Sequence, residues 1–254
     1  MPVIAVFNQK GGVGKTTTAL NLGAALAARG KRPLLIDLDP QSSLSLAMGL
    51  HAVEADRSVY AFFRDGRPLS SLARSRPSGA QLIPASPDLS KVEALHGGDP
   101  AISRRLKAGI DAEPGLAGTV ILIDCCPTLG VLTLNALIAA DRVLMPVSAD
   151  YLSLQGADKL EAALGVLEQR LGKRFVRRVV ATRFDARRRL SYEIRGQLHA
   201  RFVETMCQTV IAETVNLAES PMGAKDIFAH APHSQGARDY QALTEELEAG
   251  NFFC

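Results

Sequence analysis

Lys10-Gly11-Gly12-Val13-Gly14-Lys15-Thr16-Thr17 stands between two stretches of different periodicity. Before it runs Val3-Ile4-Ala5-Val6-Phe7, a short apolar run of strand type. After it Ala19, Leu22, Gly23, Leu26 and Ala27 recur at helical spacing, and Gly30 supplies a stop. Strand, glycine loop and helix in that order form a phosphate-binding turn. The glycines let several backbone N–H groups point at one anion, and the helix N-terminus adds its partial positive charge. Lys15 is placed to reach the outer phosphates and the Thr16 hydroxyl to ligate Mg²⁺.

The strict pattern G-x-x-x-x-G-K-[ST] is not met, because Gln9 stands at its first glycine and a second lysine, Lys10, precedes the glycines. Two lysines framing three glycines resemble the deviant Walker A loop of the ParA/MinD family of ATPases. The resemblance implies that Lys10 reaches across a dimer to the partner's nucleotide. It also implies that Gly11, Gly12, Val13, Gly14, Lys15, Thr16 and Thr17 hold ATP.

The run Pro33-Leu34-Leu35-Ile36-Asp37-Leu38-Asp39-Pro40-Gln41 reads as a second buried strand ending in two carboxylates. In an open α/β sheet ligands sit beyond the carboxyl ends of strands, so Asp37 and Asp39 are expected near the phosphates. They face the same side if the strand continues. Thr119-Val120-Ile121-Leu122-Ile123-Asp124 is a further aliphatic strand closing on an aspartate, which predicts a Walker B carboxylate holding Mg²⁺ through a water. By resemblance Asp37-Leu38-Asp39-Pro40-Gln41 is switch I, with Asp39 positioning the attacking water and Asp37 supporting the metal's water shell. Cys125-Cys126-Pro127-Thr128-Leu129-Gly130 is similar to the family's switch II, with Cys126 where proline is usual. Asn216 to Gly223 resembles the segment beside the adenine base, and Pro221 is carried over as a contact there. The metal set is thus Thr16, Asp37 and Asp124, and the catalytic set Lys10, Lys15 and Asp39.

Elsewhere the pattern predicts short helices at 42–48 and around Tyr60-Ala61-Phe62-Phe63, a strand over 81–86, a turn at Gly97-Gly98-Asp99-Pro100 and a helix over 101–110. It then predicts helices over 131–139, 151–171 and 192–202, and strands over 142–147, 176–182 and 207–211. A last helix runs from about Ser234 to Glu248. Alternation of this kind predicts an α/β fold, a mostly parallel twisted sheet flanked by helices on both faces. The resemblance makes this a P-loop NTPase (deviant Walker A) fold, a single domain over 1–254.

Composition is that of an ordinary globular chain, with 47% hydrophobic and 22% charged residues and no Trp. No long apolar segment predicts a membrane span, and Cys125, Cys126, Cys207 and Cys254 have neither zinc nor disulfide spacing. The adjacent pair Cys125-Cys126 reads as small apolar loop residues rather than a redox pair. The expected setting is cytoplasmic and nucleoid-associated. The net charge of +3 is uneven: 170–201 holds eleven Lys or Arg against Asp185 and Glu193, a net of +9, leaving −6 for the rest. Such a cluster suits sequence-independent contact with DNA phosphates. Lys173, Arg174, Arg177, Arg178, Arg187, Arg188 and Arg189 are the candidate DNA contacts. The tail 237–254 has Arg238 as its one cation, and Phe252-Phe253 is too short to anchor it to a membrane. The expected activity is slow ATP hydrolysis by an ATP-bound homodimer on nonspecific double-stranded DNA, stimulated by a ParB-like or cargo adaptor protein. The alternative is a MinD-like switch on a membrane or protein scaffold.

Overall fold

The computed structural model describes residues 2–96 and 99–254. The sheet has the order β3-β4-β2-β5-β1-β6-β7-β8. Its strands are β1 Val3–Val6, β2 Pro33–Leu38, β3 Arg74–Ser75, β4 Gln81–Ile83, β5 Val120–Cys125, β6 Arg142–Ser148, β7 Val176–Phe184 and β8 Met206–Ala212. Neighbours run parallel throughout, apart from the two-residue β3, which is antiparallel to β4. Parallel strands need both faces covered, which is why the central strands read as unbroken aliphatic runs rather than alternations.

The helices are α1 Lys15–Ala28, α2 Ser43–Ala47, α3 Val59–Asp65, α4 Leu69–Leu72, α5 Ser90–His96, α6 Pro100–Ser103, α7 Arg105–Asp111, α8 Val131–Ala139, α9 Tyr151–Leu171, α10 Arg189–Arg201, α11 Val215–Glu219, α12 Ile227–His230 and α13 Gln235–Ala249. Alternate residues of each strand enter different cores. Val3, Ala5, Ile36, Ile123 and Met145 join residues of α3, α8, α9 and α10, while Ile4, Val6, Leu35 and Leu122 join α1, α2 and α13. Each of these Val, Leu, Ile and Met side chains, when fully buried, contributes about 1.5–3 kcal/mol of transfer free energy. A Cβ on Gly23 would lie 2.7 Å from the Leu35 side chain, so this glycine lets α1 press against β2 and sets the depth of the loop before it.

Several expectations are adjusted. The stretch 101–110 is two helices, because Arg104 ends α6 and begins α7. Strand β7 continues past its expected end at Thr182, through Arg183 to Phe184, and α10 begins at Arg189 rather than Tyr192. Phe252 and Phe253 are buried in the core beside α13, so the tail is docked. Of the expected turn at Gly97-Gly98-Asp99-Pro100, the two glycines lie outside the described residues, and Asp99 caps α6 by accepting from the Ala101 N–H. Among the described residues no helix is long and apolar enough to cross a membrane.

Candidate nucleotide site

The loop between β1 and α1 closes through two left-handed glycines, Gly12 at φ 74° and Gly14 at φ 88°, a region where a Cβ is strained. Thr182 Oγ1 of β7 donates to the Val13 carbonyl at 2.8 Å and fixes the loop against the sheet. Lys15 opens α1 and is only 7% exposed, its ammonium donating to the Lys10 carbonyl at 3.0 Å. Burial lowers its pKa, against the pull of Asp124. A desolvated cation whose hydrogen-bond partner is one neutral carbonyl suits an incoming phosphate.

Two carboxylates meet beside it because β2 and β5 are in register, Asp37 opposite Asp124. Thr16 Oγ1 donates to Asp124 Oδ2 at 2.7 Å, while Asp124 Oδ1 is buried without a partner. Burial, then the Asp37 charge, pushes the Asp124 carboxyl well above its ordinary range. Thr16 and an unsatisfied buried carboxylate oxygen are a donor set that fits Mg²⁺. Asp37 is fully buried, and both of its oxygens are engaged. Oδ2 accepts from the Ser45 N–H at 2.8 Å and the Ser45 hydroxyl at 2.7 Å, and Oδ1 from the Asp39 N–H at 3.1 Å. Asp37 thus ties the N-terminus of α2 to the strand end. Strand β2 stops at Leu38, so the two aspartates are not successive same-face residues of one strand. Asp39 is half-buried and accepts from the Gln41 N–H at 2.9 Å.

Lys10 is folded back onto its own chain. Its ammonium lies 2.7 Å from Asp150 Oδ1 and 2.9 Å from Ser153 Oγ, and Asp150 also caps α9 by accepting from the Ser153 N–H at 2.9 Å. Burial opposes ionisation of Asp150, but hydrogen bonds from Lys10, Ser153 and Ser148 hold its carboxyl well below the usual range. The Asp-x-x-Ser pattern at 150–153 signals a helix cap; nothing in it announces the partner of Lys10.

On the other side of the loop a cavity of about 230 Å³ is lined by Gly12, Gly14 and Thr17 and by Thr182, Arg183, Leu217 and Ala218 among others. Arg183 has φ 50°, uncommon for a non-glycine residue, and its guanidinium donates to Glu213 at 2.7 and 3.0 Å and to the Gly12 carbonyl at 3.4 Å. Leu217 and Ala218 come from the segment singled out for the base; Pro221 lies in the following turn, Ser220–Gly223, and does not line the cavity. The switch II loop ends where Glu93 of α5 accepts from the Val131 and Leu132 N–H groups at 3.0 Å each, capping α8. Burial, before the neighbouring Cys126 and Asp124, pushes the Cys125 thiol up, which makes it unreactive.

The basic cluster is divided. Arg187, Arg188 and Arg189 follow the C-terminal end of β7, with side chains 89%, 69% and 93% exposed. Asp185 pairs with Arg187 and Arg188, and Glu193 with Arg189. Lys173, Arg174, Arg177 and Arg178 lie at the other end of that strand. Lys173 donates to the carbonyls of Leu137, Ile138 and Ala140 and closes the C-terminus of α8. Arg177, 12% exposed, is held by Glu161 and Glu168. Arg178 donates to the Arg177 carbonyl.

Residues 1–176 match the family described as an AAA domain. The chain is 43% identical over 250 residues to the chromosome-partitioning ATPase Soj of Thermus thermophilus, covering 97% of this chain and 95% of that protein. It is 37% identical to the chromosome partitioning protein ParA of Caulobacter vibrioides over 96% of this chain and 93% of the relative. Among solved structures, cobyrinic acid a,c-diamide synthase from Mycobacterium smegmatis, with bound ADP and magnesium, is similar at a TM-score of 0.80 and 30% identity, over 98% of this chain and 94% of that one.

Proposed function

The chain belongs to the ParA/Soj family of partition ATPases, and from that premise we propose that it hydrolyses ATP slowly as a dimer which binds nonspecific double-stranded DNA and moves or positions a cargo. One ATPase domain over 1–254 carries this activity. A ParB-like or cargo adaptor protein stimulates it. The observation that carries the DNA reading is a shared edge. The loop with Lys15 and the exposed run Arg187, Arg188 and Arg189 both lie beyond the C-terminal ends of parallel strands, on β1 and β7, with β6 between them.

Phosphoryl transfer to water is mainly positioning and charge stabilisation. In this reading Lys15 and the loop N–H groups hold the phosphates, and Thr16 and Asp124 hold Mg²⁺ directly or through water. Asp37 acts through its hold on α2 and Asp39. Mg²⁺ supplies charge neutralisation at the phosphates. Asp39 orients the water that attacks the terminal phosphorus as the bond to ADP breaks. Lys10 leaves Asp150 and meets the charge on the partner's nucleotide. The cavity beside Arg183 takes the base.

The alternative of a membrane switch draws no support from Phe252 and Phe253, which are packed in the core beside α13. The test is binding to random-sequence duplex DNA without nucleotide, with ADP and with ATP–Mg²⁺, over a salt series. Binding confined to ATP–Mg²⁺ is expected. Each DNA phosphate that Arg187→Glu, Arg188→Glu or Arg189→Glu leaves unneutralised flattens the log–log salt slope by about 0.9. DNA binding that ignores nucleotide, or survives all three changes together, refutes the reading.

A further inference from the structure

The β3 end of the sheet carries a second group of cations. Arg57 closes the turn Ala55–Arg57, Arg67 lies between α3 and α4, and Arg74 opens β3. With Asp56 and Ser71 they line a recess of about 310 Å³. Backbone carbonyls aim two of the guanidiniums: Arg74 Nη2 donates to the Arg57 carbonyl and Arg67 Nη1 to the Asp56 carbonyl, each at 2.9 Å. Among the described residues none of the three forms an ion pair. The Asp56 carboxylate is taken by Arg64, which also holds Asp65.

This arrangement is electrostatically unfavourable as it stands. Arg74 is half-buried, and burial, then the charges of Arg57 and Arg76, push its pKa down, with Glu54 opposing. Arg76 follows two residues later, and its buried Nε has no partner. Surface cations ordinarily spread apart or pair; these are gathered and left with unused donors. A guanidinium has five N–H groups in a planar fork that matches phosphate oxygens, and one carbonyl bond leaves most of them free.

We propose that the recess formed by Arg57, Arg67 and Arg74 is a binding site for a phosphate group carried by a small soluble molecule. Its size is that of small-ligand pockets, about 300 Å³ and upward, and it is concave rather than a ridge along which a duplex lies. It is distinct from the exposed run after β7: β3 and β7 are six strand positions apart, roughly 29 Å at about 4.8 Å per strand. It does not depend on the nucleotide reading.

The probe is pyrophosphate, titrated by calorimetry without Mg²⁺ into the full chain, Arg67→Ala/Arg74→Ala and Lys15→Ala. Arg67 is exposed and Arg74 half-buried, so the circular dichroism and unfolding midpoint of the double variant are recorded alongside. The expected result is that Lys15→Ala keeps one pyrophosphate site and that the double variant loses that site, with affinity there falling at least tenfold. Arg67→Lys/Arg74→Lys, which keeps charge and loses the fork, falls between. A double variant with the wild-type stoichiometry and affinity, or a Lys15→Ala chain that binds none, overturns the proposal. Duplex DNA is the second arm. Unchanged DNA affinity in the double variant supports a small-molecule source, and a loss of DNA affinity equal to that of the Arg187→Glu/Arg188→Glu/Arg189→Glu chain overturns it in favour of the DNA backbone.

Discussion

Replacing Asp150 by Asn tests whether the hold on Lys10 restrains dimer formation. Asn keeps the helix cap, because its carbonyl oxygen accepts from the Ser153 N–H as well as a carboxylate does. It removes the negative charge that Lys10 touches at 2.7 Å. The pair is 33% and 42% exposed, so solvent screens it and its contribution is about 0.5–1 kcal/mol. A lysine that must leave this partner to cross a dimer interface does so once per protomer. Two releases per dimer lower the dissociation constant of the ATP–Mg²⁺ dimer by about 5- to 30-fold, since 1.4 kcal/mol is a factor of ten. Sedimentation velocity with ATP–Mg²⁺ across a concentration series reads this directly, and basal hydrolysis at sub-saturating protein rises with it. Asp150→Ala separates the terms: it frees Lys10 and also loses the cap, for about 0.5–2 kcal/mol of stability. An Asp150→Asn dimer no tighter than the wild type would refute the reasoning, and show that Lys10 does not move from where the free chain holds it.

Asp39→Ala is expected to trap an ATP-bound dimer; hydrolysis at the parental rate, read by phosphate release, removes Asp39 from its role. Lys173→Met, which strips three carbonyls at the end of α8 of their charged donor, lowers stability by about 1.5–3 kcal/mol in urea unfolding and leaves DNA affinity unchanged; the reverse pattern makes Lys173 a phosphate contact. Gly23→Ala forces α1 off Leu35 and costs about 1–3 kcal/mol, with weaker nucleotide binding by calorimetry; wild-type values for both show that the helix shifts freely. Burial lifts the carboxyls of Asp37 and Asp124, so each holds more proton as pH falls. Binding of ADP–Mg²⁺ is therefore expected to release protons, read as buffer-dependent heat; no release at any pH down to 6 means that Asp124 is already ionised in the free chain.

The sequence showed the central sheet clearly and its periphery poorly, for a physical reason. Strands β1, β2, β5 and β6 are buried on both faces and so appear as aliphatic runs that only a parallel core tolerates. The helices α4 to α7 are four to seven residues long, too short to show a helical period, and β3 and β4 have two and three residues. The loop residues were legible because glycine at a left-handed position and lysine at a helix start have few other uses. What spacing could not show was who meets whom. Asp150 lies 140 positions from Lys10. The recess at Arg57, Arg67 and Arg74 joins three segments whose charges look balanced by Glu54, Asp56 and Asp65 when counted along the chain.

The charge count over 170–201 found a cluster, but a strand is also a ruler. Strand β7 spans nine residues, about 3.3 Å each, so Arg174 and Arg187 are carried to opposite edges of the sheet. At one edge Lys173 and Arg177 are consumed by structure, on the α8 carbonyls and on Glu161 and Glu168. At the other they are paired mainly with Asp185 and stand in solvent. That second edge also bears the nucleotide loop, through Thr182 on Val13 and Arg183 on Gly12. One residue, Phe184, therefore separates the second loop contact, Arg183, from Asp185, the carboxylate that pairs with Arg187 and Arg188. A change in the loop on binding phosphate would reach the exposed arginines through these two hydrogen bonds and a few residues of chain, which is the connection that the proposed ATP-dependent hold on DNA requires.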